Sequence, residues 1–75
     1  MLVELTIGES IRRARKKKGI SSRELSMKTG YDPTCVSKWE NDKAVPKITS
    51  MIDIADALGI SIDELVGHEV KGGGT

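Results

Sequence analysis

The 75-residue sequence contains no phenylalanine, and Tyr31 and Trp39 are its only aromatic side chains. A core must therefore be aliphatic, assembled from Ile, Leu, Val, Met and Ala. The single cysteine, Cys35, excludes an internal disulfide framework and suits a reducing compartment. With one histidine, His68, beside it, a Cys/His zinc site is excluded as well. No apolar run approaches the roughly 18 residues of a membrane span. The opening "MLVELTIGES" lacks the basic-then-apolar order of a signal peptide, so the expected location is cytoplasmic, with no membrane partner. There is no phosphate-cradling glycine loop and no histidine near a nucleophile. These absences predict a protein that is not an enzyme and needs no metal or cofactor. Cys35 reads as a small residue near the start of a helix rather than as a nucleophile.

A chain this short makes one domain and buries only about 60% of its unfolded surface, so its stability margin is thin. The net charge of +1 hides an asymmetry. Residues 1 to 50 hold 11 basic and 6 acidic side chains, whereas residues 51 to 75 hold 1 basic and 5 acidic. Such a chain can present one basic face while staying near neutral overall. The run "RRARKKK" contributes most of that charge. On charge alone it reads equally well as a solvated helix face.

Helix starts are legible. Thr6-x-x-Glu9, Ser21-x-x-Glu24 and Ser61-x-x-Glu64 each fit a capping box, in which hydroxyl and carboxylate satisfy each other's backbone amides. Ile20 with Leu25, Tyr31 with Val36, and Ile60 with Leu65 have the spacing of hydrophobic staples. Asp32 followed by Pro33 gives an N-cap and a proline at the first helical position. Gly19, Gly30 and Gly59 fit left-handed helix ends. The pattern predicts five helices, over 7–18, 22–29, 33–41, 47–58 and 62–66. Their apolar faces would be Ile7, Ile11 and Ala14; Leu25 with Thr29; Val36 and Trp39; Ile48, Met51, Ile52, Ala55 and Leu58; and Ile62, Leu65 and Val66. No alternating strand pattern occurs. The predicted organisation is a domain over 1–66 and a glycine-rich tail over 67–75.

The second and third helices are separated by "GYD" alone, the mark of a helix-turn-helix whose second helix enters a DNA major groove. An ordinary helical hairpin uses the same turn. The third helix narrows the choice. Thr34, Ser37, Lys38 and Asn41 fall at i, i+3, i+4 and i+7, one face. That stripe carries no carboxylate to repel phosphate and no large apolar group that needs burial. Threonine and lysine suit base edges, and asparagine suits either a base or a phosphate. On the same helix Glu40 shares a face with Val36 and Trp39, an inward carboxylate that needs a partner.

From about residue 7 to residue 66 the chain resembles the lambda-repressor-like, Cro/cI-type helix-turn-helix family, also called the Xre family. The resemblance rests on "IGESIRRARKKKGISSRELS", Gly30, "VSKWEN", Pro46 and "ALGISIDEL". It implies an all-α, five-helix domain that binds double-stranded DNA as a sequence-specific transcriptional regulator, of the phage or bacterial repressor type, with 33–41 as recognition helix. It also implies that Arg15 of the first helix pairs with Glu40. Pro33, Thr34, Ser37 and Lys38 match positions that touch bases. Ser22, Asn41, Lys43 and Lys47 match positions around the DNA backbone. Three positions depart from the family pattern: Ser22 stands where glutamine is common, Asp42 where glycine is usual, and Lys47 where a serine cap often opens the fourth helix.

A single recognition helix reads too few base pairs to find one site in a genome. A homodimer on a near-palindromic operator is therefore expected. Ile60, Ile62, Leu65 and Val66 are the expected surplus apolar surface for it. The alternative function on the same fold is a protein-interaction module, with an as yet unidentified protein partner and secondary DNA contacts.

Overall fold

The computed structural model describes residues 5–66, and these form α1 (Ile7–Lys17), α2 (Ser22–Thr29), α3 (Pro33–Glu40), α4 (Ile48–Leu58) and α5 (Ile62–Val66). The expected tail over 67–75 lies outside the described residues. No strand occurs among those described, and no described helix is long and apolar enough to cross a membrane.

The helix starts obey the local chemistry. In the first box Thr6 Oγ1 accepts from the Glu9 amide at 3.1 Å, while the Glu9 carboxylate accepts from the Thr6 amide at 3.0 Å. Ser21 with Glu24 and Ser61 with Glu64 repeat both bonds. The Asp32 carboxylate accepts from the Thr34 amide at 3.0 Å, just ahead of Pro33. Only α4 opens without a side-chain cap, because Lys47 stands at its N-cap and has no acceptor to offer. Three expected boundaries move by one residue: Lys18, Asn41 and Lys47 are caps rather than helical residues.

The core is Ile11, Leu25, Val36, Trp39, Met51, Ile54, Ala55, Leu58 and Leu65. It corrects the expected inner face of α4. Ile54 is fully buried, while Ile48 and Ile52 are 64% and 43% exposed. The reason is that α4 is apolar over more of its circumference than its neighbours can cover. Both 48-51-52-55 and 51-54-55-58 fit a helical stripe, and periodicity alone cannot choose between them. The surplus apolar surface is corrected too. Leu65 is buried and Ile60, Ile62 and Val66 pack against the core. Among the described residues the exposed large apolar side chains are instead Met27, Val45, Ile48 and Ile52.

Two contacts fix α3. Tyr31 and Trp39 meet edge-to-face, with ring centroids 5.1 Å apart. From the turn, the Tyr31 hydroxyl donates to Asp53 Oδ2 of α4 at 2.6 Å. That hydrogen bond holds the phenol above its usual pKa of 10.0, with a Ser50 hydrogen bond acting the other way. A raised pKa means the contact stabilises fully below pH 10 and is lost as pH rises through the shifted value. Tyr31→Phe should therefore be less stable than the wild type by a constant margin from neutral pH upward, and the margin should close in alkaline solution above about pH 10. Denaturant titrations of both chains across that range check it, and a margin that never closes sinks the assignment.

Candidate nucleic-acid interface

The turn between α2 and α3 begins at Gly30, whose φ of +82° is a left-handed conformation that any side chain would strain. Its amide donates to the Ser26 carbonyl at 2.8 Å, closing α2 and letting the chain reverse at once into Tyr31 and Asp32. Left-handed glycines also follow α1 and α4, at Gly19 and Gly59. One face of α3 then meets the core through Val36 and Trp39, and the opposite face carries Pro33, Thr34, Ser37 and Lys38 into solvent. Asn41 continues that exposed row as the C-cap. Cys35 is half-buried against the core, outside the row.

Behind the row lies Glu40, 5% exposed. Arg15 meets it with a planar fork: Nε donates to Oε2 at 2.7 Å and Nη2 donates to Oε1 at 2.9 Å. The third nitrogen, Nη1, donates to the Ile20 carbonyl at 2.9 Å. The guanidinium is thus used on every nitrogen, and the Glu40 hydrogen bond raises its pKa further while burial lowers it. One charged pair ties the end of α3 to α1 and, through Ile20, to the entrance of α2. A bidentate geometry of this kind fixes an angle as well as a distance.

The remaining candidate positions fall around the same end of α3. The loop after Asn41 curls back, with the Lys43 amide donating to the Lys38 carbonyl at 2.8 Å. Lys43 and Lys47 are exposed there, and Ser22 is half-buried at the first position of α2. Ser22, Pro33, Thr34, Ser37, Lys38, Asn41, Lys43 and Lys47 are each solvent-accessible. Asp42 takes a positive φ of 59° where the resembled family has glycine. Its carboxylate accepts from Thr6 Oγ1 at 2.8 Å and from the Gly8 amide at 3.2 Å. The acid is thereby engaged by the first turn of α1, where a helix favours negative charge.

Two participants escape the sequence pattern. Arg12 donates from Nη2 to Asn41 Oδ1 at 3.0 Å, and its Nε lies 3.6 Å from Glu40 Oε1. Its spacing from Arg15, three residues, is the one signal that both reach the same side of α1. The Thr6–Asp42 contact spans 36 residues and leaves no local signal. Among the described residues no group of three or more His, Cys, Asp or Glu side chains could hold a metal ion.

Known proteins share this fold. The helix-turn-helix family model matches residues 11–65. The cryptic phage CTXphi transcriptional repressor RstR of Vibrio cholerae is 38% identical over 59 residues, which are 76% of this chain and 53% of RstR. The chain thus spans about half the length of that relative. The P22 c2 repressor, solved with a synthetic operator, superposes with a TM-score of 0.75 at 29% identity over 87% of this chain and 98% of its own. The biofilm regulator SinR, solved with DNA, gives 0.75 at 31% identity over 80% of this chain and 97% of its own. On the family match and on the five-helix architecture together, the chain belongs to the helix-turn-helix family, in its lambda-repressor-like, Cro/cI-type branch.

Proposed function

We propose that the protein is a sequence-specific DNA-binding transcriptional regulator of the repressor type, working in the cytoplasm and without a catalytic role. The observation that carries this reading is the solvent-facing row of α3, which offers Pro33, Thr34, Ser37 and Lys38 with no carboxylate among them, while Glu40 on the same helix is turned away and paired. P22 c2 and SinR, both solved on DNA, support the same use of this fold here. In this reading Thr34, Ser37 and Lys38 read base edges, and Pro33 offers an apolar contact to a thymine methyl. Ser22, Asn41, Lys43 and Lys47 hold the phosphate backbone.

The working form is a homodimer on a near-palindromic operator, with the two recognition helices about 34 Å apart. Val45, Ile48 and Ile52 support a contact between copies, because they are apolar, exposed and adjacent to Lys43 and Lys47. Three side chains are far short of the roughly 800 Å² per partner of a stable interface. Dimerisation is accordingly expected to be weak in free solution and driven by the operator.

Selection of bound sequences from random DNA supplies the site for the decisive test. Lys38→Ala should weaken binding about tenfold and relax the preference at one base pair, since lysine donates as a point charge rather than a bidentate fork. Lys43→Ala or Lys47→Ala should weaken matched and mismatched sites alike and reduce the slope of log K against log salt by about 0.9 for each phosphate no longer neutralised. Sedimentation on the selected fragment should find two chains per site. Uniform weakening in Lys38→Ala with base preference intact would reject α3 as the reader. A protein-interaction module, for its part, would yield no selected sequence at all.

A further inference from the structure

The two adjacent arginines that open the basic run share one open face of α1 but differ in their other contacts. Arg13 lines a cleft with Ile60, Glu64 and Leu65, on the α5 side. Arg12 leans the other way, onto the end of α3. Its side chain remains 42% exposed, against 12% for Arg15. Among the described residues one of its five N–H groups is hydrogen-bonded, to Asn41 Oδ1, and its Nε lies 3.6 Å from Glu40 Oε1. Asn41 in turn donates from Nδ2 to the Ser37 carbonyl at 2.9 Å and lies 3.4 Å from Ser37 Oγ. Arg12, Asn41 and Ser37 thus form one chain of contacts along the edge of the exposed row.

The C-terminal end of a helix is a poor place for a phosphate, because its free carbonyls carry partial negative charge. Two carboxylates, Glu40 and Asp42, stand at the same end. Glu40 is matched by the Arg15 fork, and Asp42 is engaged by Thr6 and the Gly8 amide. The cations at that end are Arg12 and Lys43, and Asp42 is exposed beside them with both carboxylate oxygens already hydrogen-bonded.

We propose that Arg12 is a further DNA-contacting residue, holding a backbone phosphate beside the end of the recognition helix. Asn41 then serves partly as a positioning residue: its carbonyl oxygen is occupied by Arg12 and one of its N–H groups by Ser37, so it aims the guanidinium as much as it contacts DNA itself. The inference rests on the DNA-binding reading of α3 and adds to it a residue from α1 that lies outside the helix-turn-helix. Arg13, with the same charge one position away, has no part in the contact.

The test is a salt titration on a duplex recovered by selection from random DNA, and on a scrambled duplex of the same length. The chains compared are the wild type, Arg12→Ala, Arg12→Lys and Arg13→Ala. Arg12→Ala should flatten the slope of log K against log salt by about 0.9 per chain on both duplexes and leave the base preference unchanged. Arg12→Lys should keep the slope, because the charge stays, and lose affinity severalfold, because the single hydrogen bond from Nη2 to Asn41 that aims the planar group is gone. Arg13→Ala should keep at least most of both. Thermal melts separate the alternative role: if Arg12 merely supports Glu40, Arg12→Ala lowers the melting temperature and leaves the salt slope as in the wild type, which overturns the proposal. Equal flattening in Arg12→Ala and Arg13→Ala also overturns it, because the effect is then diffuse charge. A wild-type chain that shows no salt-dependent binding to either duplex removes the DNA-binding reading itself, and this inference with it.

Discussion

Replacing Glu40 with alanine should lower the stability of the fold by about 3–5 kcal/mol. The change deletes the carboxylate that receives two of the Arg15 hydrogen bonds and leaves a guanidinium 12% exposed with only the Ile20 carbonyl beside it. Water reaches the half-buried Arg15 guanidinium less readily than a free one, whereas Arg12, more exposed, would simply rehydrate. A domain of this size has little to spare, since whole domains are stable by only about 5–15 kcal/mol. Adding Arg15→Met should recover much of the deficit by removing the stranded charge, even though it restores no attraction. That recovery is the informative part: a buried pair costs so much desolvation that its net worth is small, while either half alone is expensive. Denaturant unfolding followed by the fluorescence of Trp39, next to Glu40 in sequence, reads both changes. Single and double variants of equal stability would show that the charge on Arg15 is not the source of the destabilisation.

The sequence makes the helix ends of this protein easy to read and its faces harder. A capping box needs residues three apart, so Ser21 and Glu24 are visible together in one window, and the structure forms both bonds. The same holds for the glycine turn at Gly30 and for the outward row of α3, whose polarity is uniform over two turns. The facing of α4 is not local. Ile48, Ile52 and Ile54 are chemically equal, and which of them is buried depends on where α2 and α5 happen to reach. Partnership across the fold is less visible still. Nothing near Asp42 indicates that its carboxylate turns to Thr6 and Gly8, and composition gives no reason for Arg12 to choose Asn41 where Arg13 does not. The Arg15–Glu40 pair follows from a family resemblance, with the inward carboxylate as the physical motive. Without that resemblance helical spacing from Ile7, Ile11 and Ala14 narrows the choice within "RRARKKK" but does not single out Arg15.

Gly8 shows how far such long-range constraints reach, and alanine there should destabilise the protein. Helix propensity predicts the opposite sign, since alanine is better than glycine inside a helix by about 1 kcal/mol. Gly8 sits in the first turn of α1, where α1 passes over the end of α3. A Cβ at this position would overlap the Trp39 carbonyl oxygen and press on the Glu40 carbonyl and the Asp42 carboxylate. Two of these neighbours are backbone atoms, and the Trp39 carbonyl already accepts from the Asp42 amide at 3.1 Å. They cannot rotate away as a side chain could. Relief requires α1 and α3 to separate, which pulls on the Arg15–Glu40 fork and tilts the exposed row of α3. Overpacking typically costs about 1–3 kcal/mol, and overlap with backbone places Gly8→Ala at or above the upper end. After the propensity gain, a net destabilisation of about 2 kcal/mol remains, a fall in melting temperature on the order of 10 °C for a domain of this length. Lys16→Ala, exposed in the same helix and away from that crossing, is the comparison for helix effects. A Gly8→Ala chain that melts at or above the wild-type temperature would mean that the two helices slide apart freely, and that neither the close crossing nor the ion pair beyond it sets the angle of α3.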